Sequence, residues 1–289
     1  MAPRRVSILI PTHNPGRRIQ DVLRSIFAQD AEFDFEIVVV DSTSRAEDVE
    51  FIRSFPIRFE QIARHEFGHG RTRNLLARLA LGDVLVYLSQ DAEPAGSTWL
   101  RALLEPLADP SVAGVYARQI PSLGADPLIR FFLTHTYGPQ PARRHLTRND
   151  TIGIDDIFFS NVSSAIRKDV WQRFPFRENV VMSEDQYWAH DVLRGGYDVV
   201  YQPEACVYHS HNYSLRTLFR RNWLSGASLR GLIADRPGAI AQRGLEYTAS
   251  QARYLVRSGR AQWLPYMFLY EITKAVGFGM GIRFGRQRA

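Results

Sequence analysis

Val6-Ser7-Ile8-Leu9-Ile10 is a short apolar run that stops at Pro11-Thr12 and the turn formers Asn14-Pro15-Gly16. Behind it, Ile19, Val22, Leu23, Ile26 and Phe27 return at spacings of three and four, the period of a helix with one apolar face. A second run, Phe35-Glu36-Ile37-Val38-Val39-Val40, is β-branched enough to be buried on both faces and ends in Asp41-Ser42-Thr43-Ser44. Ile57 to Ile62 reads as a weaker strand, and Thr72 to Ala80 as a helix that stops at Gly82. Val84 to Leu88 is a further strand and runs into Ser89-Gln90-Asp91. This β-α-β-α-β order predicts an α/β fold with a mostly parallel sheet, right-handed crossovers and helices on both faces. Ligands of such sheets bind beyond the carboxyl ends of the strands, where Thr12, Asp41 and Asp91 each follow an apolar run.

Further along, Val112 to Gln119 and Ile157 to Ile166 read as strands, and the Arg-, Pro- and Gly-rich stretch between them as a loop region. Tyr197 to Tyr208 returns to strand character and ends at His209-Ser210-His211. From Leu215 on the pattern is helical and rich in arginine. The 289 residues, 45% of them hydrophobic, suit one large domain with a helical appendage, divided here into 1–214 and 215–289. Cys206 is the sole cysteine, so neither an internal disulfide nor a multi-cysteine zinc site can form. The apolar run after Met1 to Arg5 is too short for a signal-peptide core and lacks a cleavage pattern, so the expected location is cytoplasmic. The net charge of +6 is uneven: residues 214–289 carry 13 Lys and Arg against Asp235, Glu246 and Glu271, while the remainder is slightly acidic. A nucleic-acid binder would be basic throughout, and none is expected as a partner.

Several residues could carry chemistry. Asp91, three residues before Pro94, is either a turn residue at a strand end or a carboxylate holding Mg2+ or Mn2+ against a diphosphate. Asp41 is either a similar turn residue or an acceptor for a nucleobase or ribose. His209 and His211 alternate, so on a strand they face one side, and imidazole suits both metals and phosphate oxygens. Ser183-Glu184-Asp185-Gln186 has the form of a capping box, which would place Asp185 in a first helical turn where the dipole favours its ionised form. A carboxylate so held can take a proton from an attacking hydroxyl, although acids also commonly decorate helix starts. Gly68-His69-Gly70-Arg71-Thr72-Arg73-Asn74 is a glycine-flanked loop able to present N–H groups and arginines to an anion, or an ordinary surface loop.

In order and spacing these residues resemble the family 2 glycosyltransferases, which have the GT-A fold, over about residues 6–212. The landmarks are Ile8-Leu9-Ile10-Pro11-Thr12, Val39-Val40-Asp41-Ser42, Leu88-Ser89-Gln90-Asp91 with Pro94, and Glu184-Asp185. Within that family the chain looks most like bacterial rhamnosyltransferases. That likeness lies in Gly68-His69-Gly70 with Arg73-Asn74, Ser89-Gln90-Asp91-Ala92, Phe159-Ser160-Asn161-Val162-Ser163-Ser164 and His209-Ser210-His211-Asn212-Tyr213-Ser214. The resemblance implies a nucleotide-diphosphate-sugar donor, dTDP-L-rhamnose, whose sugar passes with inversion to a hydroxyl of a glycan or lipid-linked acceptor. It implies Asp185 as the base with Glu184 beside it, and Asp91 and His209 as ligands of Mg2+ or Mn2+. Pro11, Thr12, Asp41, Arg73, Asn74, Ser89, Gln90, Asp91 and His211 would line the donor, and Asn161 and Trp188 the acceptor. Ser89 stands where the family's D-x-D motif has its first acid, which removes one charge from the metal site.

Three other readings compete. A polysaccharide synthase would add membrane spans of ~20 apolar residues, and Trp263 to Tyr270, the longest apolar stretch, is soon broken by Glu271 and Lys274. A nucleotidyltransferase would carry a glycine-rich phosphate loop after the first strand, where Pro11 to Gly16 is a poor one. A catalytically silent sugar-nucleotide-binding module would not need Glu184-Asp185. The basic 215–289 region, set with Leu218, Phe219, Trp223 and Trp263 to Tyr270, is expected to dock on an anionic membrane surface, peripheral to the inner face of the cell membrane, or to pack within the protein or form a homodimer contact.

Overall fold

The computed structural model describes residues 5–285 except 32, 147–149, 151 and 233–236, so Met1 to Arg4, Asp235, Arg236 and the last basic residues, Arg286 and Arg288, lie outside it. The first half alternates as the periodicity requires: β1 (Val6–Thr12), α1 (Arg18–Phe27), β2 (Phe35–Asp41), α2 (Ala46–Arg53), β3 (Arg58–Gln61), α3 (His69–Leu79) and β4 (Val84–Leu88). There follow β5 (Glu93–Pro94), α4 (Trp99–Leu104), β6 (Val112–Ile120), α5 (Pro127–Thr136), β7 (Ala142–Arg144), β8 (Ser163–Arg167), α6 (Lys168–Arg173), α7 (Glu184–Arg194) and β9 (Asp198–Tyr208). Three helices close the chain: α8 (Leu215–Leu229), α9 (Pro237–Arg257) and α10 (Leu264–Phe284).

The strands form one sheet in the order β3-β2-β1-β4-β8-β6-β9-β5, with β7 also on β9. β1, β2, β3 and β4 run parallel, and β8 is antiparallel to both β4 and β6. β9 runs parallel to β6, while β5 and β7 oppose it. Six strands therefore share one direction, and their carboxyl ends form the edge that carries the polar groups. Alternation along each strand divides the core. Leu9, Val38, Val40, Leu85 and Tyr87 face the layer of α3 and α7, while Ile8, Ile10, Ile37, Val39, Val86 and Leu88 face that of α1 and α4. All of these are buried, each worth roughly 1.5–3 kcal/mol of apolar transfer.

Three local expectations give way. The stretch read as a loop contains α5, whose start is capped by Asp126 accepting from the Ile129 N–H (2.8 Å), with Pro127 in its first turn. The strand expected from Ile157 begins only at Ser163, because 154–162 turns inward and the Asn161 N–H bonds to a side chain instead of a neighbouring strand. The capping box is absent: Ser183 has φ +67° and its side chain caps nothing. Asp185 itself accepts from the Gln186 N–H (2.9 Å) at that helix start. The helices after residue 215 pack on α5 through Leu128, Leu218, Leu255, Met267 and Tyr270.

Candidate active site

Asp91 lies between β4 and β5, and β5 pairs with the end of β9 (Glu93 opposite Tyr208), which brings together residues read separately in the sequence. The Asp91, His209 and His211 ligand atoms all lie within 4.8 Å of one another. His211 Nε2 is 3.1 Å from Asp91 Oδ2, and His209 Nε2 is 3.6 Å from Asp91 Oδ1. Burial keeps His209 neutral, its pKa lowered to about 4 despite Asp91. Its Nδ1–H donates to Gln119 Oε1 (2.8 Å), which leaves the Nε2 lone pair facing the cluster. Against the cost of burial, the hydrogen bond from His211 and the positive potential around the cluster, Arg18 included, hold the Asp91 carboxyl below its ordinary value. One carboxylate and two imidazoles converging this closely form a donor set that fits Mn2+ or a similar divalent ion. His211, expected at the donor, thus joins the cluster and offers a potential ligand atom, whereas Ser89 brings no charge.

The second centre is the start of α7. Glu184 is buried and paired with Arg73 Nη1 (2.6 Å). Against the cost of burial, Arg73 and then His69 hold its carboxyl below the ordinary value. Asp185, next to it, is pushed up to about 7, first by burial and then by the Glu184 charge, while Arg73 and the Asn161 and Gln186 N–H groups oppose the rise. Adjacent acids are thereby divided into a permanent counter-ion and a group that titrates near neutrality. The helix start is expected to favour the ionised form of Asp185, and burial and the Glu184 charge instead raise its pKa.

Two sets of hydrogen bonds meet at the adjacent residues Ser160 and Asn161 between the centres. Gln119 receives His209 through its oxygen and donates through its nitrogen to Ser160 Oγ (3.0 Å) and Tyr137 Oη (2.5 Å). Asn161, the next residue after Ser160, donates its N–H to Asp185 Oδ2 (3.2 Å).

Several expected ligand-binding side chains are spent elsewhere. Asp41 is wholly buried and accepts from Thr12 Oγ1 (2.9 Å), Ser44 N (2.9 Å), Ser44 Oγ (2.5 Å) and Gln61 Nε2 (3.1 Å). Thr12 and Asp41 therefore shape the loop beyond β2, in which Thr43 has φ +61°, and the four bonds to Asp41 fill its acceptor sites. Pro11 is half-buried in register with Val40. Gln90 clamps the backbone of His13, accepting its N–H (2.8 Å) and donating to its carbonyl (3.2 Å). Ser89 is half-buried, and its N–H donates to the Val162 carbonyl (2.9 Å).

The glycine-flanked segment packs against the chain that leads into α7. Asn74 donates to the Phe176 carbonyl (2.8 Å) and Glu178 Oε1 (2.9 Å) and accepts from Trp171 Nε1 (3.0 Å) and the Phe176 N–H (3.1 Å). A Cβ at Gly70 would collide with the Arg177 carbonyl, so its bareness lets α3 meet this segment. Neither expected acceptor residue is accessible. Asn161 is 1% exposed and accepts from Ser164 Oγ (2.8 Å), and Trp188, also 1% exposed, packs against Phe159 and Phe176. Trp188 follows Glu184 by four residues and shares its inward face.

Residues not expected from the sequence also surround the cluster. Tyr213 stacks on His211, Arg221 lies 4.8 Å over the Tyr213 ring, and Arg18 and Arg221 both act electrostatically on His209. Position in sequence gave no sign of Gln119, which stands 90 residues from His209.

The family model described as Glycosyl transferase family 2 matches residues 7–174, more than half of the chain. An O-antigen chain rhamnosyltransferase of Salmonella typhimurium is 30% identical over 282 residues, 96% of this chain and 89% of that protein. A second, of Salmonella anatum, is 28% identical over 279 residues, 95% of this chain and 88% of that protein. Among solved structures, the mannosyltransferase PcManGT from Pyrobaculum calidifontis, in complex with GDP-Man and Mn2+, superposes with a TM-score of 0.65 at 21% identity, covering 95% of this chain and 87% of that one. Staphylococcus aureus TarS 1–349 with UDP-GlcNAc gives a TM-score of 0.58 at 12% identity over 98% and 92%. The likeness to these structures gives the fold, GT-A, and the family match gives the rest: this chain is a glycosyltransferase and belongs to glycosyl transferase family 2.

Proposed function

We propose that the protein transfers L-rhamnose from dTDP-L-rhamnose, with inversion, onto a hydroxyl of a growing cell-surface glycan or its lipid-linked precursor. The observation that carries the chemistry is Asp185: a half-buried carboxyl at the start of α7, held at about 7 and linked to the Asp91–His209–His211 cluster through Gln119 and the Ser160–Asn161 backbone. The two O-antigen rhamnosyltransferases that match nearly the whole chain support the choice of sugar.

The acceptor hydroxyl gives its proton to an Asp185 oxygen while its own oxygen attacks the anomeric carbon. The bond from that carbon to the diphosphate oxygen breaks, and the nucleoside diphosphate leaves with the electron pair. Asp91, His209 and His211 would hold the divalent ion, which when bound neutralises charge growing on the diphosphate. Arg18 and Arg221 stand beside the cluster and add positive potential. One displacement needs no protein nucleophile, and Glu184, locked to Arg73, is not available as one.

The test offers the protein a panel of dTDP-, UDP- and GDP-sugars with Mn2+ or Mg2+ and a rhamnose-accepting glycan, and measures nucleoside diphosphate release. Turnover is expected with dTDP-L-rhamnose and is expected to be lost in Asp185→Asn, while calorimetric donor affinity stays near that of the wild type. Preference for a UDP- or GDP-sugar refutes the donor assignment. Near-normal turnover by Asp185→Asn refutes the base.

A further inference from the structure

α10 is unlike the other helices, because it is apolar around almost its whole circumference. One side is used internally. Gly277, Gly281 and Gly285 recur every four residues, and a Cβ at any of them would collide with Phe219, Trp223 or Ala227 of α8, while a Cβ at Gly226 would collide with the Phe278 carbonyl. α8 and α10 thus touch backbone to backbone, and that face has no room for anything else. The opposite side is uncovered. From Pro265 to Met280 every exposed position is apolar, and Phe268, Leu269, Ile272, Val276 and Met280 are 37–59% exposed at spacings of three and four. At 1.5 Å per residue this stripe is about 23 Å long, larger than the scattered apolar exposure of an ordinary surface. Glu271 and Lys274 pair with each other (2.9 Å) away from it, and Arg283 closes its far end.

Among the described residues no helix is long and apolar enough to cross a membrane. An exposed apolar stripe flanked by cations can rest in the interface, the stripe among the acyl chains and the cations of α9 and of the α10 end at the headgroups. Charge selects between the possible occupants. The segment from residue 214 carries 13 basic residues against 3 acidic ones, and Arg253, Arg257 and Arg283 are exposed on α9 and α10. A second copy would set like charge against like charge, whereas an anionic lipid layer supplies the opposite sign. We infer that the uncovered face of α10 docks the protein on an anionic phospholipid surface. This rests on the transferase reading only in what it adds: the place where a lipid-linked acceptor is met. α8 lies between α10 and the start of α7, with Gly226 on α10 and Ser225 bonded to Met182 (3.3 Å) and the Ser228 carbonyl to Tyr187 Oη (2.6 Å), residues that flank Asp185 in sequence. Arg221 of α8 lies over the Tyr213 ring, which stacks on His211.

The experiment is co-sedimentation of the full chain with phosphatidylglycerol-containing or pure phosphatidylcholine vesicles at low and high salt. The same is done with the double variant Ile272→Glu, Val276→Glu, whose exposed positions leave the fold intact by circular dichroism and donor calorimetry. The wild type is expected to pellet with the anionic vesicles, to release as salt screens the cations, and to bind at least about tenfold more tightly than the variant. Failure of the wild type to pellet at low salt overturns the inference, as does equal binding by the variant. A stable lipid-free dimer by light scattering that the variant dissolves assigns the face to a second copy instead, and equally overturns it. Nucleotide release with a soluble acceptor is read separately. Its absence with dTDP-L-rhamnose beside intact vesicle binding would sink the proposed donor assignment and leave docking standing.

Discussion

Neutralising Glu184 should move the pH dependence of the whole reaction. Asp185 stands about three units above its ordinary 3.8, roughly 4 kcal/mol against its charged form at 1.36 kcal/mol per unit. Burial supplies the largest share and the neighbouring Glu184 charge the next. Glu184→Gln leaves the burial unchanged, removes the like charge and unmasks Arg73, whose attraction also favours the Asp185 carboxylate. Both effects lower its pKa. Two unit charges about 6 Å apart at an effective dielectric of about 20 interact by ~3 kcal/mol, and solvent screening at a half-buried carboxyl reduces this. A fall of about one unit, ~1.4 kcal/mol, is expected. Because the base must be unprotonated to act, kcat/KM should rise with pH through about 7 in the wild type and through about 6 in the variant. Donor affinity is measured by calorimetry over the same range, to separate proton uptake by the base from changes in binding. Glutamine keeps an oxygen for Arg73, so the loss of stability should stay below the ~3–5 kcal/mol of a broken buried pair, and a Tm scan checks this. A limb that remains at 7 in Glu184→Gln, or a wild type flat between pH 6 and 8, would refute the electrostatic argument.

Asp91→Ala should weaken Mn2+ and donor binding together, and His209→Ala less severely; equal donor affinity with and without metal in the wild type would remove the ion from the site. Trp188→Ala should lower stability by ~3–5 kcal/mol in denaturant titration with little change in acceptor KM, because the ring fills the core between Phe159 and Phe176; a selective rise in acceptor KM at unchanged stability would return it to the acceptor site.

Local sequence determined the first half of the fold and the position of the polar edge. Val6 to Ile10, Phe35 to Val40 and Val84 to Leu88 are apolar runs whose only stable place is a buried parallel sheet, and Thr12, Asp41 and Asp91 must follow at its carboxyl ends. The His209–His211 alternation also carries its own geometry, since a strand sets both on one side. What needed the tertiary structure was which of these polar groups remain free. Hydrogen bonds between distant segments consume Asp41, Thr12, Gln90 and Asn74, and no local pattern reveals a partner 20 or 100 residues away. The division of labour between Glu184 and Asp185 depends likewise on Arg73, 111 residues from Glu184, and on burial that only packing creates. The helix α5 and the late start of β8 depend on contacts across the fold, with α9 and α10 on one side and with Asp185 on the other. Periodicity fixes which face of an element is apolar, but a charge or a hydrogen bond takes its meaning from whatever the rest of the chain brings within a few ångströms of it.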